Sequence, residues 1–74
     1  MHEHDVVVLV EGLPAYGLAE GDVGTIVLVH DAQKGYEVEF ATLLGETVAV
    51  VTLEPRQVRP LGRQEIAHVR ALAV

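Results

Sequence analysis

The sequence predicts a small, mainly β domain: five strands curled into a barrel, a 3₁₀ turn before the last strand and a short C-terminal helix. Three observations predict it. Half of the 74 residues are apolar, and valine, whose branched Cβ suits the pleated surface of a sheet, supplies much of that content. The apolar residues fall in short runs, of strand length rather than helix length. Between the runs stand glycine, proline and acidic residues, the types that turns require. The chain has no cysteine, so neither a disulfide nor a thiolate metal site supplements the core. Apolar packing alone has to hold a chain near the lower size limit for one domain.

Taken in order, "DVVVLV" (Asp5–Val10) is short, β-branched and bounded by polar residues, and reads as a strand. Its alternation sets Val6, Val8 and Val10 on one face and Val7 and Leu9 on the other. "EGLPAYGLAEGD" follows as a loop of about a dozen residues, near the length at which loops are functional or packed on themselves. "GTIVLVH" (Gly24–His30) is the second strand, with Ile26 and Leu28 opposed to Val27 and Val29. "DAQKG" is a turn in which Gly35 is free to take a positive φ. "YEVEF" (Tyr36–Phe40) alternates without exception, Tyr36, Val38 and Phe40 inward, Glu37 and Glu39 outward. "ATLLGET" turns around Gly45 into the fourth strand, Val48–Leu53, the antiparallel partner of the third, with Val48 and Val50 opposed to Val51 and Leu53.

Pro55 suits the first turn of a short helical segment, so Pro55–Val58 is read as a 3₁₀ turn and Arg59–Leu61 as a brief fifth strand. In "GRQEIAHVRALAV", Ile66, Val69 and Ala73 fall at helical spacing with Leu72 beside them, which predicts a short amphipathic helix. A helix of about ten residues is marginal in isolation and must pack on something. Residues 1–61 are thus assigned to the barrel, and residues 62–74 to a helical tail packing on the barrel or on a partner subunit.

Strand, long loop, strand, hairpin, 3₁₀ turn and short strand is the order of an SH3-like small barrel. Such a barrel bends its strands sharply, and "EGDVG" supplies the means: Gly21 in the turn that ends the long loop, and Gly24 where the second strand begins to coil. Asp22 between them bonds a neighbouring backbone N–H as an Asx turn. A phosphate-cradling role for the two glycines needs a helix after them; a strand follows, so that role is rejected. "DVVVLVEGLP" followed by "GDVGTIVLV" resembles the KOW-type pattern of SH3-like barrels in ribosomal proteins and transcription elongation factors. From Asp5 to Leu61, through "YEVEF" and "GETVAVVTLEPRQVRPL", the chain looks more closely like a family of small bacterial proteins classed as a domain of unknown function. That resemblance implies an SH3-like barrel and no assigned activity; the tail from Gly62 to Val74 departs from it.

Charge narrows the function. The formal net charge is −6, which opposes attraction to nucleic acid and to anionic membranes and suits a basic protein partner. The polar start "MHEHD" has no secretory pattern, and the longest apolar runs fall far short of the roughly 20 residues a spanning helix needs, so a cytoplasmic protein with no membrane contact is expected. The KOW resemblance alone carries a nucleic-acid reading. It needs basic rims, whereas the long loop bears Glu11, Glu20 and Asp22, with Tyr16 its one aromatic. Arg56, Arg59 and Arg63 form the one basic cluster and share it with Glu54 and Glu65. With one phenylalanine and two tyrosines, two of the three pointing inward, no aromatic groove for a polyproline helix can be built. His2 and His4 flank Glu3 at the terminus and His30 and His68 stand apart, so no metal site or cofactor is expected, and no nucleophile–base pair is recognisable.

Two surfaces remain. Glu11, Glu20, Asp22, Asp31, Glu37 and Glu39 form a candidate acidic surface for a basic partner. The apolar excess is the other. A chain this size cannot bury both faces of three valine-rich strands, so either the tail covers an outer face in cis or another subunit does. Leu28, Ile66, Val69 and Leu72 are the candidate contacts, and self-association or a partner protein is favoured over a simple monomer. The reading is a non-enzymatic protein-interaction module, an accessory or neutralising partner of a larger protein. The alternatives are a KOW-like nucleic-acid-binding accessory domain and a small barrel subunit of an enzyme.

Overall fold

Alternating β-branched residues produce five strands, which the computed structural model, describing residues 1–72, places in one antiparallel sheet. They are β1 (Val6–Leu9), β2 (Val23–Val29), β3 (Tyr36–Ala41), β4 (Thr47–Leu53) and β5 (Val58–Pro60), with spatial order β4-β3-β2-β1-β5. A 3₁₀ turn at Pro55–Gln57 precedes β5, closed by a capping box between Glu54 and Gln57. Proline at its first position, which needs no N–H there, places it where the sequence predicts.

One apolar cluster draws on all five strands. Val7 and Leu9 meet Ile26, Tyr36, Val38, Phe40, Val51, Leu53 and Val58, and Leu18 joins them from the long loop. That loop folds on itself through a 3₁₀ turn at Pro14–Tyr16 and a bridge between Leu13 and Leu18. The closed barrel of the sequence reading is not formed by hydrogen bonding, because no ladder joins β4 to β5. β5 has three residues and ends in Pro60, too short and too poor in donors to complete a ring.

Strict alternation fails in β2 and β4, for one reason. Ile26 lies opposite Val38 and Leu28 opposite Glu37, so Val27 is an extra residue. A bulge of this kind reverses the facing of everything after it. Leu28 therefore turns to solvent and Val29 returns to the core, the reverse of the predicted pairing of Leu28 with Ile26. In β4 the register shifts where Phe40 faces Ala49 and Ala41 faces Thr47. Val48 then packs on the core beside Ala49, rather than opposing Val51 and Leu53 as the alternation predicts. In the β2–β3 turn the positive φ angles belong to Ala32 and Gln33 and not to Gly35.

The C-terminal helix is the largest correction. Among the described residues there is no α-helix, and after a turn at Arg63–Gln64 the segment to Leu72 is irregular; Ala73 and Val74 lie outside the described residues. Ion pairs to the sheet take the place of helical bonds. Arg59 donates to both carboxylate oxygens of Glu65 at 2.9 and 2.6 Å, and Gly62 N–H donates to Glu65 at 2.5 Å. Arg70 grips both oxygens of Asp22 at 2.8 and 2.5 Å and also donates to the Gly17 carbonyl. A helix of about ten residues gains little by itself, and these forked, charge-assisted bonds require the chain to run along the sheet instead.

Candidate functional site

Between the tail, the outer side of β1–β2 and the β3–β4 turn runs a cleft of about 760 Å³. Its buried lining is Val8, Leu18 and Phe40; its exposed lining includes Leu43, Leu61 and Ile66. Val8 alternates with the core residues Val7 and Leu9, so it belongs to the opposite face of β1, and it is nevertheless buried. The polar rim carries Glu20, Asp22, Arg59, Glu65, His68 and Arg70. The lining has an apolar floor and a polar edge. Ile66 and Leu43 are 94% and 77% exposed, large apolar side chains left uncovered among the described residues.

The two ion pairs that hold the tail are electrostatically distinct. Hydrogen bonding from Arg70, with help from the Ala19 N–H, holds the Asp22 carboxyl below its ordinary value, against the effect of burial. Arg59, with the Gly62 N–H, brings Glu65 down to about 2 and is itself raised by the pairing. A carboxyl whose folded pKa is depressed contributes stability above its unfolded pKa and loses it as pH falls through the folded one. The Glu65 anchor is accordingly expected to hold above about pH 4.5 and to weaken as the solution is acidified towards pH 2, and the Asp22 anchor is expected to weaken in the same direction. Backbone amide shifts of residues 62–72 are expected to follow that titration. Arg70→Ala should free the C-terminal part of the tail at neutral pH while leaving the unfolding transition of the sheet nearly unmoved. Tail shifts that ignore acidification would contradict the assignment of these anchors.

The six carboxylates of the predicted acidic surface fall in three places. Glu37 and Glu39 share the outer face of β3. Glu37 accepts from Thr52 at 2.8 Å and lies 2.6 Å from His30 Nε2, and Glu39 accepts from Thr47 at 2.5 Å. The bond with His30, then that with Thr52, holds Glu37 below its ordinary value. Asp31 belongs to the adjoining turn at Asp31–Gln33. Glu20 and Asp22 are on the cleft rim, and Glu11 pairs with Arg56 and Gln57 near the last 3₁₀ turn. Asp22 accepts from the N–H of Ala19, three residues before it, rather than from a later residue as an Asx turn does. Gly21 carries the positive φ, at +92°.

Of the predicted contact residues, Ile66 and Leu72 line the cleft, Val69 is exposed beside them and Leu28 is exposed on β2. The basic cluster is largely internally compensated, since Arg56 also bonds Glu54 at 2.6 Å and Arg59 bonds Glu65. Arg70 and Leu18 were not singled out by the sequence. Neither has a local signal, because their partners lie across the fold. Among the described residues no group of three or more His, Cys, Asp or Glu is placed to hold a metal ion, and no helix is long and apolar enough to cross a membrane.

A family model described as "Domain of unknown function (DUF4926)" matches residues 3–60 of the 74. The chain therefore belongs to that family, and the matched region ends before the tail. No curated protein and no solved structure matches it.

Proposed function

We propose that this member of the DUF4926 family is a non-enzymatic protein-interaction module, an accessory or neutralising partner that engages a larger basic protein through the cleft beneath its tail. The fold we assign to it is an SH3-like small barrel. The strand order β4-β3-β2-β1-β5, the long loop after β1 and the 3₁₀ turn before β5 support that assignment. The observation that carries the function is the cleft itself, where buried Val8 and Phe40 meet the uncovered side chains of Leu43 and Ile66. Exposed apolar side chains clustered within a polar rim are what a partner's apolar segment buries. The net charge of −6 and Glu20 on the rim favour a basic surface around that segment.

The test is a photo-crosslinking residue placed at Leu43, compared with one at Gln33 at the other end of β3, in extracts of the source organism. Crosslinking to one protein species from Leu43 alone, lost in an Ile66→Asp/Leu72→Asp double variant, is the expected result. The same species captured from Gln33, or capture insensitive to the double variant, would overturn the cleft reading. Retardation of RNA or DNA by the protein in a low-salt gel would favour the nucleic-acid alternative instead.

A further inference from the structure

The two edges of the sheet are unequal. Ile26 exchanges backbone hydrogen bonds towards the β1 side, with His4 and Asp5. Its neighbour Thr25 therefore bonds Glu39 across β3, and Val38 and Phe40 turn their main chain to Val51 and Ala49 of β4. Two close approaches agree with this parity: the Glu39 carbonyl oxygen lies 3.0 Å from where a Cβ on Gly24 would stand, and the Leu53 carbonyl oxygen 3.2 Å from one on Gly35. Val50 and Thr52 thus direct their N–H and C=O groups outward from the free edge of β4. β4 reads "TVAVVTL" over seven residues, without a charge or a proline. β5 is the opposite case, three residues long with Pro60 at an outward position and so without a donor there. Natural sheets protect their edges with proline, charge and short strands; β5 is protected, and among the described residues β4 is bare.

Charge identifies the occupant. Self-pairing of two β4 strands centred on Val50 would set Glu46 beside Glu54 of the second copy at both ends, and Arg56 offsets only Glu54. It would also bring together two outer faces that each carry Glu37 and Glu39. We propose that the free edge of β4 accepts one antiparallel strand from a partner protein bearing lysine or arginine at alternate positions, with apolar residues between them. Main-chain bonds to Val50 and Thr52 supply the pairing. The added strand would lie about 10 Å from β3, two strand spacings away, within reach of long basic side chains stretching over Val50 and Thr52 to Glu37 and Glu39. The intervening apolar residues continue the inward face of Ala49 and Val51. Val50, Thr52, Glu37 and Glu39 do not line the cleft, which β4 borders only at Val48.

Heteronuclear NMR with amide exchange tests it, using the acetylated heptapeptide Lys-Val-Lys-Val-Lys-Val-Lys and its counterpart with glutamate for lysine. The lysine peptide should slow exchange of the Val50 and Thr52 amides by about tenfold or more at saturation, and the glutamate peptide should leave them unchanged. Val50→Pro removes an outward donor without breaking a bond to β3, and should abolish the effect. Glu37→Gln/Glu39→Gln leaves every backbone bond in place and should weaken the lysine peptide by about threefold or more. Ile66→Asp, in the cleft, should change nothing, which separates this proposal from the cleft reading. Three results would overturn it: no protection at Val50 and Thr52, equal protection by both peptides, or protection in the free protein that rises with its own concentration.

Discussion

Gly24→Val should prevent folding, and Gly24→Ala should lower stability by about 1–3 kcal/mol, a large part of the roughly 5 kcal/mol available to a domain of this size. Gly24 sits in β2 opposite Phe40 and Val7. A Cβ there would lie 2.6 Å from Val38 Cγ1, 2.8 Å from Phe40 Cε1 and 3.0 Å from the Glu39 carbonyl. Val38 and Phe40 are buried, and the carbonyl belongs to the neighbouring strand, so none of the three can withdraw without disturbing the core. Valine adds two further carbons at the same point. Gly21→Ala is the informative contrast: its φ of +92° strains a side chain, but nothing lies within 4 Å of the added carbon. Urea unfolding followed by far-ultraviolet circular dichroism checks both. A Gly24→Ala midpoint equal to that of the unsubstituted chain would mean that β2 and β3 are not this close.

Ile26→Ala should cost about 2–5 kcal/mol, whereas Leu28→Ala should stay within about 0.5 kcal/mol of the unsubstituted protein. Strict alternation makes the two positions equivalent, and the extra residue Val27 makes them opposite. Ile26 is fully buried against Val38, while Leu28 faces solvent beside Glu37. Removing buried methylene groups loses their transfer energy and leaves a cavity that a close-packed core fills only in part. The same unfolding measurement on both variants decides the matter. Equal losses would place Leu28 inside and remove the bulge.

The predicted strands depended on local chemistry and were legible for that reason. "YEVEF" announces its buried face because side chains alternate, and the structure buries Tyr36, Val38 and Phe40 while leaving Glu37 and Glu39 on the outer face. Pro55 announces its 3₁₀ turn because it needs no hydrogen bond at that position. The tail was misread because Ile66, Val69 and Leu72 do have helical spacing. Their conformation was decided by Arg59, Asp22 and Gly17, two of them more than forty residues away along the chain from the Arg70 that holds them. The pairing of the acidic residues is not legible in the sequence for a similar reason, because their partners (Arg70, Arg56 and His30) are assigned by the fold.

Composition and pattern by themselves determined that the chain is a β domain of five short strands, glycine-punctuated and acidic. Those properties follow from side-chain branching, alternation and backbone freedom within a few residues. Only the tertiary structure decided where alternation breaks at Val27 and Val48, that the tail crosses the sheet without a helix, that a cleft opens beneath it, and which sheet edge stays bare. Each of these depends on contacts between residues distant in the chain, whose energies exceed the small conformational preferences that a local stretch can express.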